Sequence, residues 1–283
     1  MNPPIISLQD WLQTAPGRYL LAWEQAQLDL AVADVFGFNA LQLGLPALAA
    51  LTANRMPHRW LSVPEPLAPD PLAVGGLHTV EGVQRIEDGH GQAEPLHRPW
   101  RAALVTDPAA LPFPAASLDL VVLPHTLELS ADPHQVLREV ERVLVPEGRL
   151  VVSGLNPASL WGLRQGRAHL AVRLGLRPAD DARLYLPEAG EFIGPWRLRD
   201  WMRLMGFELE VERFGCYRPA VRSEKWLQRT AWMDRAGERW WPIFGAVYLM
   251  VAVKRVRGMR LLGPAWKPRR VPAAAPVSVA NRR

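Results

Sequence analysis

The residues of this 283-residue chain that could do chemistry are few and separated. Asp107 opens the stretch "TDPAALPFPAASLDLVVLPHTLEL" (106 to 129), and an acid ahead of a proline either accepts a hydrogen bond from a ligand or starts a turn. His125 closes the Pro124-His125 turn, where an imidazole can serve as a general base near neutral pH or as a packed, capping side chain. Gly44 in "ALQLGLPAL" (40 to 48) lets a ligand approach the backbone without a β-carbon in the way. Glu65, between two prolines, reads equally as a ligand acid or a solvated loop acid. The seven histidines form no ligand-like pair at helical spacing, so no metal site is expected. One cysteine, Cys216, excludes an intrachain disulfide and fits a reducing cytoplasm.

These positions need a scaffold, and the hydrophobic pattern supplies one. Residues 18 to 36 place Leu21, Leu28, Val32 and Val35 on one helical face, with Glu24, Asp29 and Asp34 elsewhere. "NALQL" reads as a buried strand ending at Gly44, and Pro46 as the opening of a helix carrying Leu48 and Leu51. Further strands are expected at 59 to 63, 102 to 106, around 119 to 123, and 149 to 154. The strand around 119 to 123 lacks alternation, as strands covered on both faces do, and 149 to 154 reads as another buried strand. Between them Asp132 is the N-cap of a helix with Pro133 at its first position and Val136, Val140, Val143 and Leu144 on one stripe. Later come a helix from Leu198 to Met205, the alternating strand "FELEVERF", a helix from Arg222 to Trp240 and the strand "AVYLMVAV". Alternating strands and helices predict an α/β fold with a doubly wound, mostly parallel sheet. The expected organisation is an N-terminal helical extension (1–36), a central domain (37–255) with an irregular insertion at 64–99 and a helical or loop lid at 156–196, and a basic tail (256–283). The seven tryptophans from Trp196 to Trp266 are read as core and subdomain packing ahead of the alternative, a membrane belt.

Charge is unevenly spread. Residues 1 to 154 carry 9 Lys/Arg against 17 Asp/Glu, 155 to 253 carry 15 against 11, and 254 to 283 carry 9 against none. A tail of this charge meets RNA or an anionic bilayer through electrostatics alone, while the plainer reading is a solubilising tail. "MNPPIISLQD" lacks the positive start and apolar run of a signal peptide. The uncharged run Val35 to Asn54 contains Gly37, Asn39, Gln42, Gly44 and Pro46 and is read as strand, turn and helix in place of a membrane span.

Open α/β sheets bind ligands beyond the carboxyl ends of their strands, which selects Gly44, the residues after Val63, Asp107 and the Pro124-His125 turn. Residues 102 to 157 run acid, Leu-Pro-Phe, strand, "LE", Asp-Pro helix, "P-x-G" turn and strand. In this order the chain resembles the class I S-adenosylmethionine-dependent methyltransferases, specifically the type 11 methyltransferase domain with its Rossmann-like fold. "RLRDWMRLMGFELE" and "AVYLMVAVKR" are similar to that family's last helix and closing strand pair. The resemblance implies S-adenosyl-L-methionine as cofactor. It implies Asp107 on the adenine amino group and Leu111, Pro112 and Phe113 as an apolar wall, with Pro108 and Ala109 in the same turn. It further implies Glu65 on the ribose hydroxyls, Gly44 beside the methionine moiety, and Pro124 and His125 near the sulfonium.

Three departures qualify it. "QLGLP" offers Gln42 and one glycine where the family's first loop carries several after an acid, Pro108 has no N–H to give the adenine ring, and "LEL" replaces "LEH". The expected function is therefore methyl transfer to a small-molecule acceptor, with His125 as candidate base and the arginines of 156–196 pointing to an anionic one. Two rivals stand beside it: a catalytically inactive module that keeps the methyltransferase fold for binding or regulation, and an RNA-directed enzyme guided by the tail.

Overall fold

The computed structural model describes residues 8–64, 104–175, 185–187, 190 and 192–255. Glu65, the body of the expected insertion and the tail 256–283 lie outside them.

Seven strands form one sheet in the order β3-β2-β1-β4-β5-β7-β6. They are β1 (Asn39–Leu43), β2 (His58–Val63), β3 (Leu104–Val105), β4 (Leu118–Pro124), β5 (Leu144–Leu155), β6 (Phe207–Gly215) and β7 (Val247–Lys254). β1 to β5 are mutually parallel, whereas β7 runs antiparallel between β5 and β6. The side-chain period of two is visible in the packing. On β4, Leu120 and Val122 enter the apolar layer under the N-terminal helices, while Leu118, Val121 and Leu123 enter the layer on the other face. On β7, Val247, Leu249 and Val251 face the first layer and Tyr248, Met250 and Ala252 the second. Burial on both faces explains why these strands read as unbroken apolar runs.

The first layer is capped by α1 (Leu8–Leu12) and α2 (Ala15–Val32), the latter started by Thr14, whose hydroxyl accepts from the Gly17 N–H. The second layer is capped by α3 (Thr126–Leu129), α4 (Pro133–Val143) and α6 (Pro195–Leu204), whose Leu127, Val136, Leu137, Val140, Leu198 and Met202 are buried there. The expected N-cap of α4 is present, with Asp132 accepting from the Gln135 N–H at 3.0 Å.

Several expectations are corrected. The buried stripe of α2 is Leu20, Glu24, Leu28 and Val32, spaced by four, so Glu24 points into the core. No helix follows Pro46; residues 44–57 are a compact loop. The chain enters it through Leu45 at φ 42, and a residue before proline is disfavoured in the helical region. Three amide side chains then pair the loop's backbone. Gln42 Nε2 donates to the carbonyls of Gly44, Leu45 and Leu48 while its Oε1 accepts from Ala50. Gln25 bonds both backbone groups of Ala49, and Asn54 Nδ2 donates to Val32 and Val35. β5 starts at Leu144 instead of Arg149, with an irregularity in its pairing between Leu118 and Leu120.

The expected lid contains α5 (Leu160–Arg173), capped by Ser159. Its Trp161 joins Trp11, Tyr19 and Tyr185 in an aromatic cluster, with the Trp11 indole donating to the Tyr185 carbonyl at 2.7 Å. The helix expected from Arg222 to Trp240 is two, α7 (Glu224–Arg229) and α8 (Trp232–Trp240), followed by a tight helical turn at Pro242–Phe244. Trp226, Trp232, Trp240 and Trp241 are exposed, which overturns their reading as packing residues. Among the described residues no helix is long and apolar enough to cross a membrane.

Candidate functional site

The sheet order places the carboxyl ends of β3, β2, β1 and β4 side by side, and local hydrogen bonds fix how each chain leaves them. Gly44 donates its N–H to the Ser62 carbonyl at 2.7 Å, Thr106 to Val63 at 3.0 Å, and His125 to Ser153 on β5 at 3.0 Å. The Thr126 hydroxyl donates to the Leu43 carbonyl and ties the end of β4 to the end of β1. Gly44, Asp107 and the Pro124-His125 turn thus come to one edge, with Glu65 outside the described residues.

Gly44 adopts φ 76, and a Cβ there would lie 3.3 Å from the Thr126 hydroxyl. Only glycine takes this left-handed geometry without strain. Asp107 is exposed, and its Oδ1 accepts from the Ala109 N–H at 2.9 Å; Oδ2 takes no hydrogen bond from the described residues. The acid is therefore both the start of a turn and a carboxylate oxygen available to a donor.

The turn after it has no spare backbone donor. Pro108 has none, Ala109 serves Asp107, Ala110 donates to the Asp107 carbonyl at 3.0 Å, and Leu111 donates to Glu139 Oε1 at 2.9 Å. Arg142 clamps this arrangement by donating to Glu139 and to the carbonyls of Leu111 and Phe113, and its guanidinium holds the Glu139 carboxyl below its usual range. Leu111 is buried in the apolar layer under α4. Phe113 packs against Trp60 with ring centroids 5.7 Å apart, and Pro112 is exposed.

His125 is 1% exposed and sits at φ 53, at the junction of β4 and α3. Its Nδ1 lies 2.8 Å from Glu128 Oε2, and its Nε2 lies 3.0 Å from Glu24 Oε1, an ion pair without hydrogen-bond geometry. Glu128 Oε1 in turn accepts from the Leu155 N–H at 2.6 Å. Burial opposes a charged imidazole, but the field of Glu24 and the hydrogen bond to Glu128 outweigh it and raise the His125 pKa to about 10. Burial likewise raises Glu128. A protonated ring with a carboxylate at each nitrogen holds no vacant base site, so the geometry makes His125 the cation of a buried Glu24–His125–Glu128 group. Gly190 packs on α3 so closely that a Cβ would meet the Glu128 carbonyl at 1.9 Å.

Sequence reasoning did not mark Glu24, Gln42, Glu139 or Arg142 as site-building residues. Glu24 had a usable signal, an acid four residues from both Leu20 and Leu28 on an apolar stripe. Among the described residues no group of three or more His, Cys, Asp or Glu is placed to hold a metal ion.

Comparison with known proteins agrees with this architecture. Residues 72–152 match the family described as a methyltransferase domain. A solved chain from the complex between the Haloferax volcanii Trm112 methyltransferase activator and a methyltransferase superposes with TM-score 0.50 at 16% identity, over 88% of this chain and 96% of that one, a likeness of fold. With the sheet order, these findings show the α/β fold of class I methyltransferases, with residues 72–152 matching a methyltransferase domain. Among curated relatives, the chain is 40% identical over 109 residues to the uncharacterized protein YafS of Escherichia coli, covering 38% of this chain and 40% of that one. It is 30% identical to the malonyl-[acyl-carrier protein] O-methyltransferase of a Methylovorus species, covering 59% and 57%. It is 29% identical to the ubiquinone biosynthesis O-methyltransferase of Xanthomonas axonopodis, covering 58% and 60%. The matches span about half the length of these relatives.

Proposed function

We propose that this edge of the sheet binds S-adenosyl-L-methionine and that the chain transfers its methyl group to a small-molecule acceptor. The observation that carries the reading is the pairing of a left-handed Gly44 at the end of β1 with an exposed Asp107 carboxylate just beyond β3, in a sheet of this strand order. Both fit the cofactor: the carboxylate suits its adenine amino group and the glycine leaves room for its methionine end. Glu65 is the proposed partner of the ribose hydroxyls, with Pro124 and His125 lining the region of the sulfonium.

When bound, S-adenosylmethionine supplies a methyl group already activated for attack, so the chain's task is chiefly positioning. The buried acids Glu24 and Glu128, set on either side of His125, place acidic groups at the end of β4, next to the edge proposed for the sulfonium. His125 contributes by holding the end of β4 against α2, and proton removal from the acceptor falls to another group or to solvent. Two relatives named as O-methyltransferases support an oxygen nucleophile on the acceptor.

A second reading, a binding module without transfer, is favoured by the absence of a helix after β1 and by the lack of a backbone donor across residues 108 to 111. Calorimetric titration with S-adenosylhomocysteine and S-adenosylmethionine separates them. Methyl transfer requires binding below about millimolar dissociation constants. Asp107→Asn retains an acceptor for the Ala109 N–H but loses the charge, and should cost roughly 1.5 to 3 kcal/mol of affinity if the carboxylate holds the adenine. Equal binding by this variant would leave Asp107 as a turn residue, and no binding by the native protein would leave the second reading.

A further inference from the structure

A cluster of exposed tryptophans and other apolar side chains lies on α7, α8 and the residues after them. Trp240 to Phe244, "WWPIF", are five consecutive apolar residues, all exposed. Their main chain is held firmly from behind. Asn156 Nδ2 donates to the carbonyls of Ile243 and Gly245 at 2.8 and 2.9 Å, and the Tyr217 hydroxyl donates to the Pro242 carbonyl at 2.7 Å. Fixed backbone therefore presents Trp241, Ile243 and Phe244 outward.

α8 extends the same surface. Trp232, Arg235, Ala236, Arg239 and Trp240 recur at i, i+3, i+4, i+7 and i+8, so one helical face alternates indole and guanidinium, with Trp232 65% and Trp240 75% exposed. On α7, Arg229 lies over the exposed Trp226 ring at 5.6 Å, and Ser223, Lys225, Trp226, Gln228 and Arg229 line one open pocket. Of the acids nearby, Asp234 is bound to Tyr19, Tyr217 and Arg218, Glu224 is exposed but paired with Arg18, and Glu238 is exposed on α8.

We infer that this face of α7, α8 and residues 240–244 docks on an anionic lipid bilayer. Indole rings settle at the headgroup level, where their apolar body and N–H are both accommodated, and interleaved Arg and Lys meet anionic lipid phosphates. A helix that pairs such an apolar face with basic residues lies in the interfacial plane. A second copy of the chain is the weaker occupant, because a two-fold contact through this face would set Lys225, Arg229, Arg235 and Arg239 against their own equivalents. The face lies at the same end of the strands as the candidate site, toward the opposite side of the sheet from β3. Residues 216–246 connect β6 to β7 at the same end of the strands as Gly44 and Asp107, and Asn156, which anchors 242–245, follows the Leu155 that Glu128 holds. Docking here sets the cleft at the membrane surface whether or not methyl transfer is the chemistry.

Vesicle cosedimentation of the full chain tests this, with phosphatidylglycerol–phosphatidylcholine mixtures and phosphatidylcholine alone as probes. The native protein should bind the mixed vesicles, bind phosphatidylcholine more weakly, and show indole fluorescence quenched by brominated lipid. Trp232→Ser/Trp240→Ser changes two exposed positions and should weaken binding about tenfold or more with an unchanged circular dichroism spectrum. A chain lacking residues 256–283 should still bind, which separates this face from recruitment by the basic tail. The inference is overturned if the native chain ignores mixed vesicles, if the double variant binds as well as native, or if loss of the tail alone abolishes binding. Self-association that the double variant loses, without any vesicle binding, would assign the face to a second copy.

Discussion

At the scale of single residues, His125 shows how far a residue type is from a role. Its position after a buried strand was readable, and so was the option of a packed side chain, but its partners were not: Glu24 is about a hundred positions away and meets it only because α2 lies over the sheet. Removing one member of a buried ionic group leaves the others uncompensated, typically at about 3 to 5 kcal/mol. His125→Ala should therefore lower stability by about that much in urea unfolding, since two carboxylates would remain buried without their cation. Neutralising both acids as well, in His125→Ala/Glu24→Gln/Glu128→Gln, should recover part of the loss. A single variant within about 1 kcal/mol of native would show that the group is not held as an ion triad.

At the scale of elements, the strands and α4 were legible because each has a simple local cause: buried strands read as apolar runs, and Asp132-Pro133 starts a helix by satisfying and omitting free N–H groups. The loop 44–57 was misread because "LPALAALTA" has helical composition, whereas the forces that decide it come from Gln25 and Gln42, whose side chains bond the loop's backbone, and from Asn54, which ties the loop to the carbonyls of Val32 and Val35. Gln42 stands next to the one glycine of this loop and holds both ends of the segment from Gly44 to Ala50. Gln42→Leu keeps the volume but strands buried backbone groups, each worth about 1 to 3 kcal/mol. It should destabilise the chain by an amount in that range and weaken S-adenosylhomocysteine binding with it, as measured by thermal melting with and without ligand. Gly44→Val should separate the two effects, lowering affinity about tenfold or more, roughly 1.4 kcal/mol, while costing less stability than a core truncation. If its affinity is unchanged, the ligand does not approach the backbone at Gly44.

At the scale of the whole molecule, the sequence carried the doubly wound layers but not the way the N-terminal helices and the segment after β5 close over them, since contacts such as Trp11 with Tyr185 are long-range in the chain. That closure buries the ion triad and makes stability depend on pH. His125 is raised from its ordinary 6.5 to about 10 in the folded chain, so the folded state binds its proton more tightly than the unfolded state does. Its contribution is fully present below pH 6.5 and is lost as the pH rises through about 10. Glu128, also raised, acts in the same direction, favouring the folded state at lower pH and less as its own proton leaves. The buried Cys216 and Tyr248 are raised as well, but they begin to matter only near their ordinary values of 9.0 and 10.0. Between pH 7 and 9 the fall should therefore belong to the buried group that His125 and Glu128 share. Unfolding free energies from urea titrations across this interval should decline for the native chain and stay nearly flat for His125→Ala/Glu24→Gln/Glu128→Gln, which keeps none of the three titratable side chains, and parallel slopes for the two proteins would mean that this group does not hold the proton.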